Sequence, residues 1–344
     1  YKLMTGEREG NAALAAEEEQ RVEALPSDLP ELIFIFGQHR SGTTFLHQHL
    51  ADSGYFQFLT PFDIVHFDHL LALADSGRWS EAWQQLDREF KSQGNDRGLD
   101  LCQVGAGTAE EYGFLLPKPG EYSFFTPSLL PENRKRFEEI CRKKKALDTR
   151  DRPLILKNPD DYYSNFGAIA AAFPEARLVF IHRHPLAVLN SQVKAWSRLL
   201  GSPNHYFARV SPFYREALAD EKRRTWLASW IRSRVWASHA CGRHFESIEY
   251  SFKEVGHLDA DRWISVRYED LCRQPGVEVK RLSNFLGFPL PEAASKLEPR
   301  SGEPLPQVAD VYREQLDRAC PLMEMLGYRA DISVPDENSV YESS

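Results

Sequence analysis

The residues that most restrict how this chain can fold are Leu32-Ile33-Phe34-Ile35-Phe36, followed directly by Gly37-Gln38-His39-Arg40-Ser41-Gly42-Thr43-Thr44. A compact run of Ile, Leu and Phe bounded by glycine reads as a strand buried on both faces. Two glycines with four residues between them, closing on Thr43-Thr44, read as a phosphate-binding loop that continues into a helix over 43–50. Strand, glycine loop and helix in that order call for a parallel sheet with helices laid across it. One position departs from the pattern GxxxxGK[ST]. Thr43 stands where the lysine belongs, and Arg40 is left as the fixed positive charge inside the loop.

Three further short apolar runs, at 154–156, 177–181 and 263–267, are separated by helical stretches and complete the set of expected strands. Each run ends in a polar residue: the first in the Gly37 loop, the others in Lys157, Arg183 and Tyr268. Ligands of open α/β sheets sit beyond the carboxyl ends of the strands, so these ends are expected to converge. The expected fold is therefore α/β, a P-loop-type parallel sheet flanked by helices, with helical insertions forming an acceptor pocket. Residues 1–30 read as a helical arm, 31–330 as a single domain and 331–344 as a tail. Between the strands, 66–93 reads as a helix pair broken near Gly77. The segment 131–147 reads as a helix with a solvated basic face, and 211–246 as a helical region whose Trp226, Trp230 and Trp236 pack in the core.

A nest of backbone N–H groups at a helix N-terminus holds a tetrahedral anion. Without the loop lysine or an acidic strand end to hold Mg²⁺, a nucleoside triphosphate fits poorly. A less highly charged sulfuryl terminus on a phosphosulfate anhydride suits the amides, Thr43, Thr44 and one guanidinium.

FGQHRSGTTF resembles the 5′-phosphosulfate loop of sulfotransferases that use 3′-phosphoadenosine 5′-phosphosulfate (PAPS). FIHRHPLAVLNS, residues 180–191, resembles their 3′-phosphate motif, which here supplies Arg183, Pro185 and Ser191. LILKNPDDY, VRYEDL and FLGFP are similar to further segments of the bacterial-type branch, so the likeness spans residues 32–290. His184 departs from the Asp or Glu that many relatives carry, which leaves the pairing of Arg183 open. The resemblance implies that Gly37, Arg40, Ser41, Gly42, Thr43 and Thr44 cradle the 5′-phosphate and sulfuryl group. It places Arg183 and Ser191 on the 3′-phosphate, Tyr268 near the nucleotide and Lys157 on the bridging oxygen. Transfer leaves adenosine 3′,5′-bisphosphate, and no metal takes part. For the general base, GTAEEYGF offers Glu110 or Glu111, with His66 and His69 as alternatives. His39 is expected to face solvent.

Two other readings stay open: a nucleotide or adenylylsulfate kinase on the same fold, and a non-catalytic nucleotide-binding module. The net charge of −8 argues against a nucleic-acid partner and directs any anion to a local basic pocket. The expected partner is a small-molecule, glycan or peptide acceptor, with the aromatics Tyr112, Phe114, Tyr122, Phe124, Phe125, Trp79 and Trp83 either lining its pocket or packing between helices. No apolar stretch reaches a membrane-spanning length, and five scattered cysteines without CxxC spacing suit a reducing, cytoplasmic setting. The chain begins at Tyr1 without Met, which leaves room for an upstream anchor.

Overall fold

The computed structural model describes every residue except 1, 95, 100, 101, 119–124, 219, 293–302 and 329–344, and for 2–12, 216 and 217 the backbone alone. The expected tail and two of the expected pocket aromatics, Tyr122 and Phe124, lie outside the described residues.

The strands are β1 (Leu32–Phe36), β2 (Gln57–Phe58), β3 (Leu154–Lys157), β4 (Arg177–His182) and β5 (Trp263–Arg267). They form one sheet in the order β2-β3-β1-β4-β5, with every pairing parallel. Side chains alternate across a strand, and that alternation divides the core into two. Leu32, Phe34 and Phe36 join Leu154, Leu156, Leu178 and Phe180 on one face. Ile33 and Ile35 join Ile155, Val179, Ile181 and Val266 on the other. Phe34 is fully buried, with its ring 5.6 Å from Phe36 and 6.0 Å from Phe137. Truncation of such a side chain to alanine costs ~3–5 kcal/mol. Four of the five strands were expected. β2, with two residues, is too short to carry a periodic signal.

The helix Thr43–Asp52 leaves β1 through Gly42, whose φ of 103° is open to glycine at low cost. It has no side-chain cap and no acidic residue in its first turn, so its N-terminal amides are not satisfied from within by a carboxylate. The helix Pro185–Leu199 starts the same way after β4, with Pro185 in its first turn. In this order the connection after β1 runs to β2 at one edge of the sheet, while that after the adjacent β4 runs to β5 at the other. The loop after β1 sits at that reversal, where α/β sheets open a crevice.

The helical pair expected at 66–93 is present as Leu70–Asp75 and Trp79–Ser92, broken at Gly77 with φ 72°. Two expectations need correcting. The basic face of helix Arg134–Leu147 is not wholly solvated: Lys143 is fully buried, 2.7 Å from Glu18 and 2.7 Å from Glu139, and donates to the Phe67 carbonyl. A buried ammonium must be paired, and Glu18 comes from the N-terminal helix Lys2–Glu23 to supply that charge. Of the three tryptophans, Trp236 is core, but Trp226 is 63% exposed and stacks on Trp230 at the surface. Among the described residues, no helix is long and apolar enough to cross a membrane.

Candidate active site

The loop 37–42 is shaped by close approach. A Cβ on Gly37 would lie 2.3 Å from the Ile181 carbonyl oxygen, and one on Gly42 would lie 2.5 Å from the Tyr268 ring. Tyr268, just beyond β5, thus fixes the loop from behind. Arg40 adopts φ 74°, an uncommon left-handed conformation for a side-chain-bearing residue. Its Nε donates to Ser191 Oγ at 3.2 Å, and its carbonyl accepts from Arg183 Nη1 at 3.3 Å. The Arg183 guanidinium lies over the Tyr268 ring at 4.8 Å. Arg40, Arg183, Ser191 and Tyr268 therefore form one cluster at the ends of β1, β4 and β5. Ser41 is almost fully buried, and its Oγ has no hydrogen-bond partner among the described residues.

On the β3 flank, Lys157 is fully buried. Its Nζ donates to Thr44 Oγ1 at 3.0 Å and pairs with Glu111 Oε1 at 2.9 Å. The register Ile35↔Lys157 sets the lysine beside the start of the loop. The acidic neighbours Glu110 and Glu111 part ways. Glu110 turns inward, pairs with Arg97 at 2.5 Å and accepts from the Tyr206 hydroxyl. Its burial pushes the carboxyl above its ordinary range, against the pull of Arg97. Glu111 faces the cavity; burial pushes it upward too, but Lys157 and Arg97 outweigh this and hold the carboxyl down to about 2. His47, on the buried face of helix Thr43–Asp52, is pushed down to about 3 by burial and by Lys157.

His66 is placed elsewhere. Its Nδ1 shares a hydrogen bond with His69 Nε2 at 2.9 Å, its ring packs on Phe62, and burial with His69 lowers it to about 4. It does not line the large cavity beside the loop.

That cavity, of about 530 Å³, opens beside the loop. Its apolar wall includes Leu99, Phe114, Trp196, Phe207 and Phe213, and its polar groups include His39, Glu111, Arg136 and Asp160. Of the expected aromatics, Phe114 lines it, whereas Tyr112 is core and donates to Asp161 at 2.7 Å. His39 corrects another expectation: it does not simply face solvent but sets Nε2 2.7 Å from Asp160 Oδ1, with Trp196 at 5.8 Å. Asp160 also pairs with Lys118. Sequence reasoning passed over Asp160, although the DD of LILKNPDDY carried the signal. Asp161, its neighbour, instead accepts from the Ser128 and Leu129 amides and from Asn158 and Asn165. Beside Arg183, Glu269 accepts from the His184 amide at 3.0 Å and from the Tyr328 hydroxyl at 2.6 Å. Among the described residues, no three His, Cys, Asp or Glu side chains are grouped to hold a metal ion.

Residues 30–292 match the model of the sulfotransferase family. The chain belongs to that family, and family membership supports sulfotransferase activity. Solved structures similar to it include the sulfotransferase STF1 of Mycobacterium tuberculosis H37Rv, 18% identical over 81% of this chain and 73% of that one, TM-score 0.49. Sulfotransferase STF9 of Mycobacterium avium is 16% identical over 88% of this chain and 71% of that one, TM-score 0.46. The sulfotransferase domain of the Synechococcus PCC 7002 olefin synthase is 21% identical over 90% of this chain and 97% of that one, TM-score 0.37. Comparison with curated proteins gives no match.

Proposed function

We propose that the protein transfers a sulfuryl group from PAPS to a hydroxyl or amine acceptor, in line and without a metal ion. The observation that carries this reading is the convergence of Arg40, Lys157, Arg183 and Ser191 on one glycine loop. The residues present suit such a donor. An enclosed Ser41 hydroxyl with no described partner, the N-terminal amides of helix Thr43–Asp52 and the Thr43 and Thr44 side chains can accommodate a phosphosulfate. PAPS, when bound, supplies the activated sulfuryl group and a bisphosphate leaving group.

In this reading, the Arg40 side chain neutralises the 5′ end and Arg183 with Ser191 receives the 3′-phosphate. Lys157 is turned by Thr44 and Glu111 toward the loop, where its ammonium can offset charge growing on the bridging oxygen during transfer. Tyr268 acts by holding Gly42 and the Arg183 guanidinium in place. The acceptor enters the 530 Å³ cavity, a size suited to a small molecule and walled mainly by apolar side chains. The working unit is residues 31–330, with the 1–30 arm laid against it through Leu14 and Glu18. A kinase reading lacks the lysine at position 43.

A thermal-shift comparison tests the reading. Adenosine 3′,5′-bisphosphate is expected to raise the melting temperature, and ATP with Mg²⁺ to leave it unchanged; the opposite pattern would support the kinase instead.

A further inference from the structure

We infer that His39 is the general base that takes the acceptor's proton, oriented by Asp160. The inference rests on the sulfotransferase reading above. The alternative bases are already engaged. Glu111 is engaged through Oε1 by both Lys157 at 2.9 Å and Arg97 at 3.5 Å, and these two cations hold its carboxylate well below the ordinary range, which makes it a poor proton acceptor. Glu110 is enclosed between Arg97 and Tyr206, away from the cavity lining. His66 is hydrogen-bonded to His69 and lines no part of that cavity.

His39 alone among these candidates lies inside the loop and also lines the cavity, so it stands at the junction of donor and acceptor. Its Nε2 lies 2.7 Å from Asp160 Oδ1. Asp160 takes Lys118 on its other oxygen, so it serves as acceptor at both. Nε2 therefore carries the proton, and the lone pair belongs to Nδ1. No described residue hydrogen-bonds Nδ1. The ring is held in place on the remaining sides. The His39 carbonyl accepts from Gln192 Nε2 at 2.9 Å, and the ring is 6.0 Å from Tyr163 and 5.8 Å from Trp196. Gln192 is itself braced by the buried His244 at 3.0 Å.

The charged and titratable groups around the ring are Asp160 and Lys118, with Glu111, His244 and Tyr163 behind them. Asp160 holds the Nε2 side of the ring, and Lys118 pairs with the other oxygen of that carboxylate. The acceptor O–H gives its proton to Nδ1 while its oxygen pair forms the new bond to sulfur. The bond between sulfur and the bridging oxygen breaks, and that electron pair leaves on the 5′-phosphate of the bisphosphate, beside Lys157. Asp160 is thus a positioning residue and His39 a catalytic one.

The test uses the full chain with radiolabelled PAPS and a panel of phenols and aliphatic alcohols small enough for the cavity, together with calorimetric binding of adenosine 3′,5′-bisphosphate. His39→Gln is expected to lower turnover ~10²–10⁴-fold and to abolish the acid limb of the pH–rate profile. Its affinity for the bisphosphate should stay within about twofold, because the side chain does not contribute phosphate binding in this scheme. Added imidazole should restore part of the rate to His39→Ala, and Asp160→Asn should lower kcat with KM for PAPS unchanged. If His39→Gln keeps the wild-type rate and acid limb, the inference fails while the sulfotransferase reading stands. A loss of bisphosphate affinity parallel to the loss of rate would make His39 a structural or binding residue and overturn it equally. If wild type binds the bisphosphate but transfers to no member of the panel, the cavity is not the acceptor site and the inference falls with it. Wild type that binds no bisphosphate would instead sink the parent reading.

Discussion

The two flanks of the 37–42 loop are made of different material. Toward β4, Arg40, Arg183, Ser191 and Tyr268 meet through short links between the ends of adjacent strands and the first turns that follow them. Toward the cavity, His39 and Glu111 meet Asp160, Trp196, Phe207 and Phe213, which come from segments spread from 97 to 218. The first flank is fixed by strand register, so its chemistry is set within a few residues of each strand end. The second depends on how insertions pack, and adjacent residues there can take opposite duties. Glu110 and Asp161 serve the core, whereas Glu111 and Asp160 face the cavity.

That contrast can be broken at several points. Asp161→Ala removes the acceptor for two buried amides and the Tyr112 hydroxyl, at ~1–3 kcal/mol for each donor left unmet. Urea denaturation should register a loss of several times that found for Asp160→Asn; equal losses would erase the distinction between the two aspartates. Lys157→Ala should slow single-turnover transfer by ~10²–10³-fold while bisphosphate affinity moves a few fold at most. A collapse of affinity with the rate intact would move Lys157 from transfer to binding.

Arg183→Ala should weaken adenosine 3′,5′-bisphosphate by ~10–100-fold, the worth of a hydrogen bond to a charged group, and leave adenosine 5′-phosphate unchanged. Isothermal titration of both ligands decides it, and equal weakening would remove Arg183 from the 3′ position. The smallest effect concerns acid. His47 is neutral in the fold because burial, reinforced by Lys157, lowers it to about 3, while an unfolded histidine titrates near 6.5. The unfolded chain therefore binds more protons between those values, so stability falls as pH drops through that window. From pH 7 to 6 the loss from His47 should be under about 1 kcal/mol. Chemical denaturation of wild type and His47→Gln would measure it, and identical pH slopes would contradict the shift.

The legible parts of the sequence follow the same division. The four longer strands, the loop and the residues at the strand ends could be read because continuous apolar runs and glycine spacing are local signals. β2 could not, since two residues carry no period. The burial of Lys143 was hidden because its partner Glu18 lies far away in sequence, and composition cannot distinguish a solvated lysine from a paired one. The service of Glu269 to the His184 amide was hidden for a similar reason: β4 and β5 are neighbours in the sheet but not in the chain. A loop residue carries no periodicity, so His39 reads from sequence as solvent-facing, and only the fold brings Asp160 to it.

The ion pair between Glu18 and Lys143 makes the first helix a counterion for the interior. Lys143 shares the helix Arg134–Leu147 with Arg136, which borders the cavity and donates to the Leu115 carbonyl at 2.8 Å. Proteolytic loss of the first 23 residues would strip one negative charge from a sealed ammonium and loosen a wall more than a hundred residues downstream. Damage at one end of the polypeptide would then be felt as altered acceptor affinity, a remote effect that melting and acceptor KM, compared between intact and clipped chains, would register together.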